Sequence, residues 1–186
     1  MHAPWRHDPP LRAHVVVPLT VWATLVAGGG SVLVSALFLA GVPVVPFAIL
    51  AAMAQFALYT IVAFGDGQHD LFPLARWWER TLFAVGATTQ GLRGLVFAVD
   101  QGLYGSPVMT LVGASGCVAV AVAFVTTARR HGWTWYSRWL ATGVVLGLVA
   151  FVSYLAGADA TTVVALLALT SVCEVVGALT ALRRPV

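Results

Sequence analysis

ERTLFAVGATTQGLRGLVFAVD, residues 79–100, is the stretch on which the architecture turns. Steps of four and three residues through it give Glu79, Phe83, Gly86, Gln90, Arg93, Phe97 and Asp100, which share one face of an α-helix. At 1.5 Å per residue this helix measures about 32 Å, close to the hydrocarbon thickness of a bilayer. A helix that only anchors has no use for the polar and charged members of that face. Arg93 falls well inside the span, where an ionisable group is costly unless paired or wetted, and so marks a functional site by default. Gln90 also needs partners there, because lipid offers its amide none.

The rest of the chain fits a membrane. Of its 186 residues 60% are hydrophobic and only 9% charged, a balance far from that of a soluble domain. The chain reads as all-α, with residues 1–186 forming a single transmembrane domain. Lysine is absent, and the net charge of +3 comes from arginines that do not cluster on any one helix face. Membrane topology explains them better than nucleic acid does, and no nucleic-acid partner is expected. Cys117 and Cys173 both fall inside apolar runs and read as small buried thiols rather than a disulfide. Asp66, His69 and Asp70 read as solvated loop residues, and the histidines lack ligand spacing. No metal and no cofactor is expected.

Apolar runs define six spans, at 15–40, 42–64, 80–99, 107–128, 139–156 and 160–182, separated by Gly, Pro and Asp punctuation. The first is too long for a signal-peptide core and reads as an uncleaved span. Arg6, Arg12, Arg76, Arg80, Arg129, Arg130, Arg138, Arg183 and Arg184 all fall in segments that a six-span topology places on one side, and the opposite loops hold no arginine. The positive-inside rule then puts both termini in the cytoplasm, with the protein multi-pass in the cell membrane. Trp77, Trp78, Trp133, Trp135, Tyr136 and Trp139 suit an aromatic belt at the cytoplasmic interface. Ala27, Ser31 and Ser35 repeat small residues every fourth position, as close helix packing in lipid requires. No internal repeat points to an inverted-repeat transporter. The sequence leaves open whether the bundle forms a homo-oligomer.

Depth follows from helical rise. Arg93 lies about 10 Å below the outer surface, Glu174 about 12 Å above the cytoplasmic end, and the axial gap between them is roughly 10 Å. Asp100 and Tyr104 sit at the outer mouth, Glu79 at the inner one. Arg93 could instead lean toward Asp100, with a protonated Glu174 bonded to Thr88, Thr89 or Ser171. The functional reading is a cavity with a fixed cation on one wall, a protonatable acid on the other and aromatic rings between. Phe83, Phe97, Tyr104, Phe124, Phe151 and Tyr154 are the candidate rings. Such a set suits an amphiphile with a polar or anionic head and an apolar tail. A carboxyl in an apolar site favours its neutral form and can act as a general acid. Aromatic faces stabilise cations that develop along a polyene.

Tyr104-Gly105-Ser106-Pro107, followed by Met109 and Leu111, resembles the Tyr-Gly-Met-Pro segment that opens a span in small integral-membrane terpene cyclases of meroterpenoid pathways. Members of that family are multi-helix enzymes of comparable size that protonate an epoxide or olefin with a buried carboxylic acid. The family continues to Asn-x-x-Trp-Glu, where this chain has Ala114, Cys117 and Val118, so no catalytic residue carries over. The resemblance implies a lyase or isomerase acting on a hydrophobic isoprenoid. Its acid would come from Glu174 or Asp100, with Arg93, Gln90, Tyr104, Phe97 and Glu79 binding substrate. A channel or transporter with a polar path through Arg93, Gln90 and Glu174 is the alternative, and an accessory membrane subunit the third reading.

Overall fold

Ser106, Thr134 and Asp159 each start a helix by the same means, a side-chain oxygen that takes a backbone N–H left over in the first turn. Ser106 Oγ accepts from the Met109 amide at 3.3 Å, with Pro107 at the helix start. Thr134 and Ser137 accept from each other's amides at 3.0 Å, a reciprocal capping box. Asp159 accepts from the Thr162 amide at 2.9 Å. Gly132, at φ 85°, ends the preceding helix in a conformation that other residues rarely adopt.

The computed structural model describes residues 19–64 and 76–183. Among them it has seven helices and no strand: α1 (Leu19–Leu39), α2 (Val45–Phe64), α3 (Trp77–Val99), the one-turn α4 (Gln101–Tyr104), α5 (Pro107–His131), α6 (Trp135–Leu155) and α7 (Ala160–Arg183). The six long helices overlap in sequence with the six apolar runs. The structure differs in several bounds: α2 begins at Val45 rather than residue 42, and α5 runs on to His131 rather than ending at residue 128. α3 begins at Trp77 rather than residue 80, and α6 at Trp135 rather than residue 139, because Thr134 caps it earlier. α4 was not anticipated. Arg6, Arg12, Arg184 and the loop residues Asp66, His69 and Asp70 lie outside the described residues.

The long helices form a closed ring. α1 packs on α2, α2 on α3, α3 on α5, α5 on α6, α6 on α7, and α7 returns to α1. Among the described residues the backbones of long helices on opposite sides of the ring stay apart, and only side chains meet there. Short connections make neighbours antiparallel. Small residues bring the helices close. A Cβ on Gly86 of α3 would strike Val120 of α5, so a neighbouring helix approaches closely there. Gly116 of α5 answers in kind against Thr89 of α3. Gly28 of α1 leaves only 3.0 Å between a would-be Cβ and Glu174 Cβ of α7.

Outward faces are apolar: Leu19, Trp22, Val26 and Leu33 of α1 are all more than half exposed. Such surface needs lipid. Four helices, α1, α5, α6 and α7, are long and apolar enough to cross a membrane, and the protein is an integral membrane protein by that character. α2 has a shorter apolar run, Phe47–Ile61, and the polar stripe of α3 lowers its hydropathy.

Inside the ring, one end is filled. Phe83 and Phe124 meet edge to face at 5.4 Å, and Leu58, Tyr136 and Leu140 close around them. This is the end at which α3 begins and α5 stops. There Glu79, fully buried, pairs with Arg130 and accepts the Arg76 amide at 3.2 Å. Tyr136 is a correction to the expected belt. It turns inward, only 2% exposed, and shares a hydrogen bond with Thr24 at 2.8 Å. Trp77, Trp133 and Trp135 stay exposed, as a belt requires.

Candidate functional site

The other half of the ring is hollow. A cavity of about 190 Å³ receives side chains from all six long helices and from α4. Its floor rests on the aromatic plug; its walls hold Arg93, Gln90, Gln55, Tyr59 and Glu174. Arg93 and Glu174 therefore face the same space, on α3 and α7, which do not touch each other.

Arg93 is 9% exposed and makes no salt bridge among the described residues. Its Nε is buried without a hydrogen-bond partner. The guanidinium instead lies over two rings, 4.9 Å from the Tyr104 centroid and 4.5 Å from that of Phe151. Cation–π contacts of this kind contribute about 2 kcal/mol when desolvated, too little to replace a buried counter-ion. Arg93 does not lean on Asp100. Asp100 caps the α3–α4 junction, accepting the Leu103 amide at 3.0 Å, and is exposed. Gly113 of α5 makes the room: a Cβ there would sit 2.8 Å from Phe151 Cζ and 3.0 Å from Arg93 Nη1.

Glu174 is 6% exposed, and its Oε2 accepts from Gln55 Nε2 at 2.7 Å. The expected hydroxyl partners are occupied elsewhere. Thr88, Thr89 and Ser171 return their hydroxyls to carbonyls of their own helices, those of Ala84, Gly86 and Leu167. A second void of about 10 Å³ lies beside Glu174, between Tyr59 and the Phe83–Phe124 plug. It has room for a single water at most.

Of the other expected residues, Gln90 and Tyr104 line the cavity. Phe97 stands behind Tyr104, ring to ring at 4.8 Å. Tyr104 is fixed further by its neighbourhood, since the Tyr154 hydroxyl donates to the Gly105 carbonyl at 2.6 Å. Phe151 lines the cavity, while Phe83 and Phe124 belong to the plug. Glu79 is at the opposite end, held by Arg130. Gln55 and Tyr59 escaped the sequence reading. The signal for Gln55 was the one that exposed Gln90, a lone amide in an apolar span.

No protein family, curated protein or solved structure matches this chain. The cavity must speak for itself. Cys117 lines it as a free thiol, and Cys173 is free and buried behind it. Among the described residues no group of histidine, cysteine and carboxylate side chains is placed to hold a metal.

Proposed function

We propose that the protein is a small enzyme of the cell membrane that takes part of an isoprenoid or other lipid-like substrate into this cavity and protonates it from Glu174. The observation that carries the reading is that a fixed cation and a buried carboxyl, far apart in sequence, line one cavity with aromatic walls. Arg93 holds the substrate's head. Gln55 donates to Oε2, which leaves Oε1 to carry the proton and present it to the cavity. The proton passes from Oε1 to an olefin carbon or epoxide oxygen, and the positive charge that develops is met by Tyr59, which lines the cavity with Glu174, at the side away from Arg93. Ring closure followed by loss of a C–H proton to the carboxylate returns Glu174 to its starting state, so the net reaction is an isomerisation.

A six-span topology with both termini in the cytoplasm belongs to the same reading, supported by six long helices and by the described arginines other than Arg93, which fall at one set of helix ends. The cavity then opens away from the cytoplasm. The aromatic plug beneath Glu174 argues against a path from end to end. Product formation from prenyl epoxides and prenylated aromatic substrates in nanodiscs tests the assignment. Glu174→Gln should lose about 10²–10⁴-fold of turnover, with its melting temperature nearly unchanged because amide and acid share a shape. Full activity in that variant would end the case for Glu174 as the acid.

A further inference from the structure

The geometry points to the chemical class of what Arg93 holds: a monoanionic organic carboxylate, whose first ring or first few carbons occupy the cavity. The inference rests on the reading of this cavity as the site of function, and narrows it.

Three observations lead there. First, Arg93 lacks a counter-charge. It is nine-tenths buried, makes no salt bridge among the described residues, and leaves Nε without a partner. An arginine so placed in a membrane protein is an unmet demand for an anion. Second, Tyr104 and Phe151 cover the guanidinium with their rings. Contacts with ring faces leave the N–H groups of the guanidinium to a polar partner. A planar carboxylate meets a guanidinium edge with two parallel N–H···O bonds, the geometry in which Arg surpasses Lys. One carboxylate charge also balances the one cation that lines the cavity among the described residues, whereas a phosphate dianion would leave a negative charge facing Glu174.

Third, the space is small. About 190 Å³ is below the usual 300–1,000 Å³ of a ligand pocket, and close to the engineered cavity of about 150 Å³ that accepts benzene. A single ring with one or two substituents fits. A complete sesquiterpene or fatty acid does not, so for such a ligand only the acid end enters. Gln55, Glu174 and Gln90 then face the far edge of the bound group, where a hydroxyl, carbonyl or epoxide oxygen would find hydrogen bonds.

The probes are benzoate and its neutral analogue benzyl alcohol, with dodecanoate and dodecanol as the long-chain pair. Each is titrated by calorimetry into the full chain in nanodiscs of neutral phosphatidylcholine. At least one carboxylate should bind tenfold or more tightly than its alcohol. Arg93→Leu should abolish that difference while leaving alcohol binding in place. Benzoate preference identifies a free compact acid, and preference confined to dodecanoate identifies the acid end of a lipid. Glu174→Gln should keep the carboxylate preference even though it removes turnover, so failure of the acid assignment leaves this inference standing. If Arg93→Leu gives no cooperative melt, Gly113→Ala replaces it. Its methyl crowds Arg93 Nη1 and Phe151 Cζ and should weaken carboxylate binding severalfold. Equal binding of acid and alcohol in both pairs, no binding at millimolar concentration, or a preference that survives both substitutions would overturn the proposal.

Discussion

At the scale of single residues, the polar groups of the cavity announce themselves because lipid makes each of them expensive. Arg93, Gln90 and Glu174 stand out in apolar runs, and all three line the cavity. Gln55 carried the same signal. What one sequence cannot supply is pairing across the ring. Glu174 meets Gln55, 119 residues away, and Glu79 meets Arg130, 51 residues away. Spacing within a helix says nothing about which helices are neighbours. The Glu79–Arg130 pair yields an asymmetric prediction. Glu79 is wholly buried, whereas the Arg130 side chain is 26% exposed. Arg130→Leu strands a buried carboxylate and should cost about 3–5 kcal/mol. Glu79→Leu leaves an arginine that can reach water, and should cost less. Unfolding of both variants in mixed micelles compares them, and an equal loss would mean that the pair is solvated in solution.

At the scale of helices, periodicity and punctuation located all six long elements, and the errors cluster at starts. Caps decide starts. The Thr134–Ser137 box begins α6 ahead of its apolar run, and a search for hydropathy alone overlooks it. Packing separates two glycines that look alike in sequence. Gly86 faces the stiff, buried Val120, whereas nothing lies within 4 Å of a Cβ on Gly29. Gly86→Ala should destabilise by about 1–3 kcal/mol through overpacking. Gly29→Ala should be neutral or stabilise by up to about 1 kcal/mol, the gain in helix propensity. Thermal melts of the two variants should move in opposite directions or differ by several degrees. The cap at α7 responds to acid. Hydrogen bonds from the Thr162 hydroxyl and amide hold the Asp159 carboxyl below its ordinary pKa. A lowered folded-state pKa gives stability that is present above the unfolded value and lost as pH falls through the folded one. Asp159→Ala should therefore lower the melting temperature at neutral pH. The gap to wild type should close as the pH drops below the ordinary aspartate range.

At the scale of the whole molecule, composition and arginine placement made the membrane character legible, but the ring was not. No pattern within a helix tells that six of them leave their centre half empty. The topology is tested by cysteine labelling in a background free of Cys117 and Cys173. Gly102→Cys and Ala156→Cys should react with an impermeant reagent added outside, while Trp133→Cys should react only after the membrane is opened. Outside labelling of Trp133→Cys would overturn the six-span arrangement. The ring also has a seam, where α7 returns to α1. These are the last and first long helices of the described chain, separated by the 120 residues between Leu39 and Ala160. At a synthesis rate of about 5–20 residues per second, α1 waits roughly 6–24 s in the membrane for its partner. During that interval Ser31 and Ser35, which will line the cavity, face lipid, the translocation machinery or a chaperone. Glu174 enters with α7, so the polar interior is assembled late and the nascent protein is least sheltered until α7 has reached the membrane. Quality control of this protein should act on that interval, and substitutions at the α1–α7 seam should reduce the amount of protein in the membrane more than they reduce the melting temperature of what survives.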